Sequence, residues 1–128
     1  MALISVVIPV YNSARTLPAT VQALQAQTWT RWEAFLLDDG STDNSLSVAR
    51  MFEAIDKRVR VIDLSFNTPG GAGVPSNIGM EHATGEFVGF VDGDDFLNSY
   101  ALEKLMRAAV EHDSDLTVGS FKTFLDDT

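Results

Sequence analysis

The chain has 128 residues, enough for one domain with a sizeable core and no more. Its 45% hydrophobic content excludes a disordered polar chain, and the net charge of -9, from 18 acidic and 9 basic side chains, argues against a nucleic-acid or anionic-membrane surface. There is no cysteine, which excludes disulfides and thiolate metal sites and is compatible with a reducing cytoplasm.

Taken in order, the residues alternate between strand and helix. Ile4 to Val10 is a short β-branched run, predicted as a buried strand, with Pro9 at its end where no ladder donor is needed. It lacks the basic n-region of a signal peptide, and no apolar run approaches the roughly 20 residues of a membrane span. Tyr11, Asn12 and Ser13 form a loop. Leu17, Val21 and Leu24 recur at helical spacing behind Thr16 as cap, with Pro18 in the first turn. Glu33 to Leu37 predicts a second strand, ending in Asp38-Asp39-Gly40-Ser41-Thr42-Asp43. Asp43 is expected to cap a helix whose Val48, Phe52 and Ile55 face inward. Val59 to Leu64 alternates as a third strand.

A glycine-rich loop, Asn67 to Gly73, leads into a helix through Asn77, Ile78, Met80 and Ala83. Glu86 to Asp95 then reads as a strand covered on both faces that runs into Asp92, Asp94 and Asp95. Crowded carboxylates repel one another, and a divalent cation would relieve that repulsion. A solvated Asp-rich turn is the alternative, and this stretch alone does not decide between them. Leu102, Leu105, Met106, Ala109 and Val110 mark one face of a further helix, and Asp115 to Phe121 a last strand. The alternation implies a doubly wound, mainly parallel, Rossmann-like sheet in three α/β/α layers. If the two acidic strand ends lie on neighbouring strands at a switch point, they share one ligand crevice.

Four segments, in order, resemble the family 2 glycosyltransferases with the A-type glycosyltransferase fold: Ser5 to Asn12, Asp38 to Asp43, Asn77-Ile78-Gly79 with Ala83 to Glu86, and Phe90 to Asp95. Together they span nearly the whole chain. The resemblance implies a nucleotide-sugar donor, UDP-linked, and inverting transfer of the sugar to an unknown saccharide, lipid-linked or protein acceptor. It implies that Asp39 accepts the N3–H of uracil, a donor that cytosine lacks. Tyr11 would stack on the base, the Pro9-Val10 backbone would line its pocket, and Asn12, Asn77 and Gly93 would belong to the donor site. Asp94, with Asp92 and Asp95, would hold Mn²⁺ or Mg²⁺, hard cations suited to carboxylate and diphosphate oxygens. A cytoplasmic setting is expected, at the inner face of a membrane through segments outside this chain.

One departure is the segment Gly73-Val74-Pro75-Ser76, which lacks the basic residue common there in the family. The chain is expected to be the N-terminal, donor-binding portion of a longer protein, residues 1–128 forming one domain and the catalytic base lying beyond Thr128. Such a fragment is expected to transfer no sugar on its own. His82 and His112 fall in predicted helices and read as surface residues. Two other readings compete. A dinucleotide fingerprint around Gly71-Ala72-Gly73 fails because Ser76 replaces the third glycine and the loop follows the third strand. A phosphoacceptor receiver would use Asp38/Asp39, Asp92 and Lys122, but its acid pair follows its first strand, whereas here a strand and a helix come before.

Overall fold

The computed structural model describes residues 2–65, 73–93 and 97–111. Four strands, β1 (Ile4–Val10), β2 (Trp32–Asp38), β3 (Val59–Asp63) and β4 (Phe87–Phe90), alternate with helices α1 (Leu17–Gln25), α2 (Ser45–Ile55), α3 (Gly73–His82) and α4 (Ala101–Glu111). All described strand pairs are parallel, in the order β3-β2-β1-β4. The predicted last strand, the glycine-rich loop from Asn67 to Ala72, and His112 lie outside the described residues.

Strand β1 is central because its side chains suit burial on both sides: Val6, Val7, Ile8 and Val10 are fully buried. Period-two alternation divides them. Ile4, Val6, Ile8 and Val10 join Trp32, Ala34 and Leu36 under α1, α2 and α4, through Leu17, Val21, Leu24, Ala49, Leu102 and Met106. Val7, Phe35 and Leu37 face the other way, toward Ile62 and Ile78 of α3. Helices therefore cover both faces, giving the three layers expected. Gly79 lets α3 come close, since a Cβ there would lie 2.4 Å from Val7 Cγ1.

The order β3-β2-β1-β4 matters for function. It is the dinucleotide-fold order, with a switch point between β1 and β4, and it excludes the 2-1-3-4-5 order that a receiver requires. The two acidic strands do not meet the condition of being neighbours: β1 separates them, because β4 returns to the far side of β1.

Three further expectations are corrected. Among the described residues strand β4 is not covered on both faces; it is the outermost strand of the described sheet, with Val88 and Phe90 exposed beside the Ser5 and Val7 positions of β1. Ile55 is 76% exposed, because the helix ends there and the chain turns through Asp56 toward β3. Neither Thr16 nor Asp43 combines the N-cap position with a capping bond. Thr16 stands at the N-cap of α1 without a capping bond, and the N-cap of α2 is Asn44.

Candidate functional site

The site is assembled at the carboxyl edge of the sheet, where β1, β2 and β4 end. Pro9 and Val10 close β1, and the Asp39 N–H donates to the Val10 carbonyl at 2.8 Å, carrying the ladder one residue past β2. Both acids after Leu37 are buried, Asp38 at 3% and Asp39 at 4% exposure. Strand alternation sends them to opposite faces. Asp39 continues the Phe35 and Leu37 row toward α3. Asp38 continues the Trp32, Ala34 and Leu36 row, and its Oδ2 accepts the Ser41 N–H at 3.4 Å beneath the loop to α2. Asp38 Oδ1 is buried without a hydrogen-bond partner among the described residues. Tyr11, the residue after β1, is 47% exposed.

The loops after β1 and β2 are tied together. Asn12 has φ 49°, a left-handed conformation that Asn tolerates better than most residues. Its N–H donates to Ser41 Oγ at 3.0 Å. Its Oδ1 accepts the N–H groups of Thr42 and Asp43, at 2.8 and 3.3 Å, and the Thr42 hydroxyl at 3.2 Å. The Ser13 N–H donates to Ser45 Oγ at 2.7 Å, and the Ala14 N–H to Asp43 Oδ2 at 3.2 Å. Asp43 Oδ1 accepts the Ser45 hydroxyl and N–H, so it serves the first helical N–H from one residue before the cap. The Ser45 hydroxyl, ahead of the backbone N–H groups, holds the Asp43 carboxyl below the usual carboxylate range.

Beyond β4 the Val91 N–H donates to the Val7 carbonyl at 3.0 Å. Asp92 is then exposed and Gly93 buried. A Cβ on Gly93 would stand 3.2 Å from Ser13 Oγ and 3.4 Å from the Pro9 carbonyl oxygen. The Gly93 carbonyl accepts two hydroxyls from α1 and its N-cap, Thr16 at 3.0 Å and Thr20 at 3.1 Å. Asp94 and Asp95 lie outside the described residues.

Of the expected site residues, Pro9, Val10, Tyr11, Asn12 and Asp39 come together at the ends of β1 and β2. Asp92 and Gly93 stand across the switch point after β4. Asn77 is exposed on α3, while its neighbours Ile78 and Gly79 serve the packing on β1 and β2. The residues Ala83 to Glu86 are at the opposite, amino edge. There Glu33 Oε2 accepts the Ser5 hydroxyl at 2.6 Å and the Thr84 N–H at 2.8 Å. Burial raises the Glu33 pKa, but these bonds from Ser5 and Thr84 together outweigh it and leave the net shift downward. His82 is exposed, with Nδ1 2.9 Å from the Ile78 carbonyl. Thr20 carried no signal in the sequence, because its partner is 73 residues away.

A divalent cation fits the chemistry of this edge in part. Asp92 is an exposed residue with hard carboxylate oxygens, but among the described residues no three His, Cys, Asp or Glu side chains gather to hold a metal. Glu103, a downstream acid, is engaged by Arg107 at 3.1 Å and Thr28 at 3.0 Å. No helix among the described residues is long and apolar enough to cross a membrane.

Residues 5–128 match the family model described as Glycosyl transferase family 2. The chain is 38% identical over 122 residues to the glycosyltransferase GlyG of Streptococcus pneumoniae serotype 4, covering 95% of this chain and 40% of that protein. It is also 38% identical over 121 residues to a poly(ribitol-phosphate) beta-glucosyltransferase of Bacillus spizizenii, covering 93% of this chain and 19% of the relative. The chain thus spans less than half of either relative. Residues 1–349 of S. aureus TarS, solved with UDP-GlcNAc, superpose with a TM-score of 0.78 at 34% identity, over 88% of this chain and 32% of that one.

Proposed function

The chain belongs to glycosyl transferase family 2, and we propose that its carboxyl edge binds the nucleotide end of a UDP-sugar donor for transfer to a saccharide-type acceptor. One observation carries the reading. The order β3-β2-β1-β4 gathers Tyr11, Asp39 and Asp92 around the switch point, where open α/β sheets bind ligands. A 34% identical structure was solved in complex with UDP-GlcNAc, which supports a uridine nucleotide here.

In this reading Tyr11 stacks on uracil and Asp39 accepts the N3–H. Asp39 is buried and its backbone is in the ladder, so the carboxylate is held by the sheet before the base arrives. Asn12 fixes the loop that carries Tyr11 against the loop that follows Asp39. Asp92, with Asp94 and Asp95, would hold Mn²⁺ or Mg²⁺. When bound, the cation supplies Lewis-acid neutralisation of the diphosphate leaving group. Transfer with inversion needs a base near the acceptor hydroxyl, and Glu103 does not suit that task while it is paired with Arg107. Relatives named for poly(ribitol-phosphate) glucosylation favour a cell-envelope polymer as acceptor. A cytoplasmic setting belongs to the same reading and is compatible with the cysteine-free composition.

Thermal melting tests the proposal. UDP with Mn²⁺ at about 100 times Kd should add about 2.7 kcal/mol, on the order of a 10 °C rise in Tm for a domain of this size. An unmoved melting curve, with a shift by NAD instead, would overturn it.

A further inference from the structure

We propose that Arg15 is the specificity-determining cation of the donor site, the residue that meets the diphosphate and so separates a nucleoside diphosphate from a nucleoside. This rests on the donor-site reading above and deepens it. The carboxyl edge is acidic: Asp38, Asp39, Asp43, Asp63 and Asp92 all lie at or just beyond the strand ends. A diphosphate arriving there meets like charge unless something local offsets it. Among the described residues, Arg15 is the one basic residue in the loops at this edge. The segment Gly73-Val74-Pro75-Ser76 supplies none.

The other described cations are paired or placed elsewhere. Arg50, Arg58 and Arg107 are bonded to Glu53, Asp56 and Glu103 at 3.0, 3.0 and 3.1 Å. Arg31, Lys57 and Arg60 precede or open β2 and β3, at the amino edge. Lys104 is in the first turn of α4, which the bond from the Leu102 N–H to Gln27 Oε1 holds beyond the far end of α1. Arg15, by contrast, is exposed and makes no hydrogen bond or ion pair among the described residues. Its backbone is nonetheless fixed between the two acidic strand ends. The preceding Ala14 N–H donates to Asp43 Oδ2 at 3.2 Å, in the loop after β2. The following Thr16 hydroxyl donates to the Gly93 carbonyl at 3.0 Å, in the turn after β4. The Thr16 and Leu17 N–H groups close this segment on the Ser13 carbonyl. An arginine rooted there brings a planar fork that suits phosphate oxygens. An exposed arginine is ordinarily a solvated surface charge, and its loss would then act on UDP no differently from the loss of any other exposed cation. That difference is measurable.

Calorimetric titrations of UDP and of uridine, both in Mn²⁺, compare the unsubstituted chain with Arg15→Ala, Arg15→Lys and Arg31→Ala. Arg15→Ala should bind UDP about tenfold more weakly, the loss of one hydrogen bond between charged groups. Its uridine affinity should stay unchanged. Arg15→Lys keeps the charge and loses the fork, so its UDP affinity should fall between the two. Arg31→Ala makes the same change in net charge at an exposed position of the amino edge. It should leave both affinities unchanged, because the length of β1 exceeds the Debye length. No loss of UDP affinity in Arg15→Ala, an equal loss in Arg31→Ala, or a loss that uridine shares overturns the assignment. If UDP binds the unsubstituted chain no more tightly than uridine, nothing holds the diphosphate, and the assignment falls while the base-binding reading stands. If neither ligand binds, the donor-site reading falls and the assignment with it.

Discussion

The two edges of the sheet use the same residue types for different ends. At the amino edge, Glu33 receives Ser5 and Thr84, the Gly85 N–H donates to Ser5 Oγ at 2.8 Å, and the acid is engaged entirely by its own chain. At the carboxyl edge, hydroxyls and N–H groups are bonded mainly to loop backbone and loop side chains. Asn12, Ser41, Ser45, Thr16 and Thr20 hold loops in place, and the acids Asp38, Asp39 and Asp92 stand at the margin of that network. At the amino edge the acid joins neighbouring strands and the turn before β4, whereas at the carboxyl edge Asp43 and Asn12 tie together the loops that surround the strand ends. The contrast means that an acid–hydroxyl cluster cannot be assigned from composition alone, only from which end of the parallel strands it occupies.

The largest effect expected is at the amino edge. A Cβ at Gly85 would meet the Leu3 carbonyl at 2.7 Å and the Ser5 nitrogen at 2.8 Å, backbone atoms that cannot turn aside. Gly85→Ala should therefore cost roughly 2–3 kcal/mol of stability, measured by urea unfolding. The folded fraction should keep its uridine affinity. A loss of uridine affinity without a loss of stability would erase the distinction between the edges.

The strand layout was legible in the sequence to a useful degree. Ile4 to Val10 and the core of β2 stand out because buried parallel strands are continuous apolar runs, and the acids that end them mark the carboxyl edge. Asp38 and Asp39 could have been separated by alternation alone, since adjacent strand residues face opposite ways. What stayed hidden depends on distance. Thr84 and Gly85 belong to a motif of the resemblance, yet they lie at the far edge from the site, which only the register of β4 on β1 reveals. The bonds from Thr16 and Thr20 to Gly93 link residues more than 70 positions apart and leave no local pattern. Val88 and Phe90 are exposed on the face where α3 packs on β1 and β2, an arrangement that no property of the β4 residues themselves encodes.

A smaller effect should appear with pH. Asp56 is held down at about 2, first by the Arg58 guanidinium, which bonds it at 3.0 Å and lies 3.8 Å over the Trp32 ring. Glu33 is also lowered from its ordinary 4.5. A depressed folded pKa adds stability that is complete above the unfolded value and disappears as pH falls through the folded one. Asp56 should thus contribute roughly 1–2 kcal/mol at neutral pH, allowing for partial solvent screening. That contribution fades from pH near the ordinary 3.8 toward about 2. Urea midpoints between pH 6 and pH 3 should fall less steeply for Asp56→Asn than for the unsubstituted chain. Parallel curves would remove the pair from the acid response. Uridine affinity should be indifferent to this substitution, which lies away from the carboxyl-edge loops.

The most direct measurement is a calorimetric comparison of UDP with CDP, in Mn²⁺, on the unsubstituted chain and on Asp39→Ala. The two nucleotides share diphosphate and ribose, and only uracil presents an N3–H to a carboxylate. A hydrogen bond to a charged group contributes about 1.5–3 kcal/mol, so UDP should bind at least tenfold more tightly than CDP, and Asp39→Ala should abolish the preference while leaving the Mn²⁺ gain. Equal affinity for the two nucleotides, or a preference that survives Asp39→Ala, would contradict the placement of a uridine nucleotide at the end of β2.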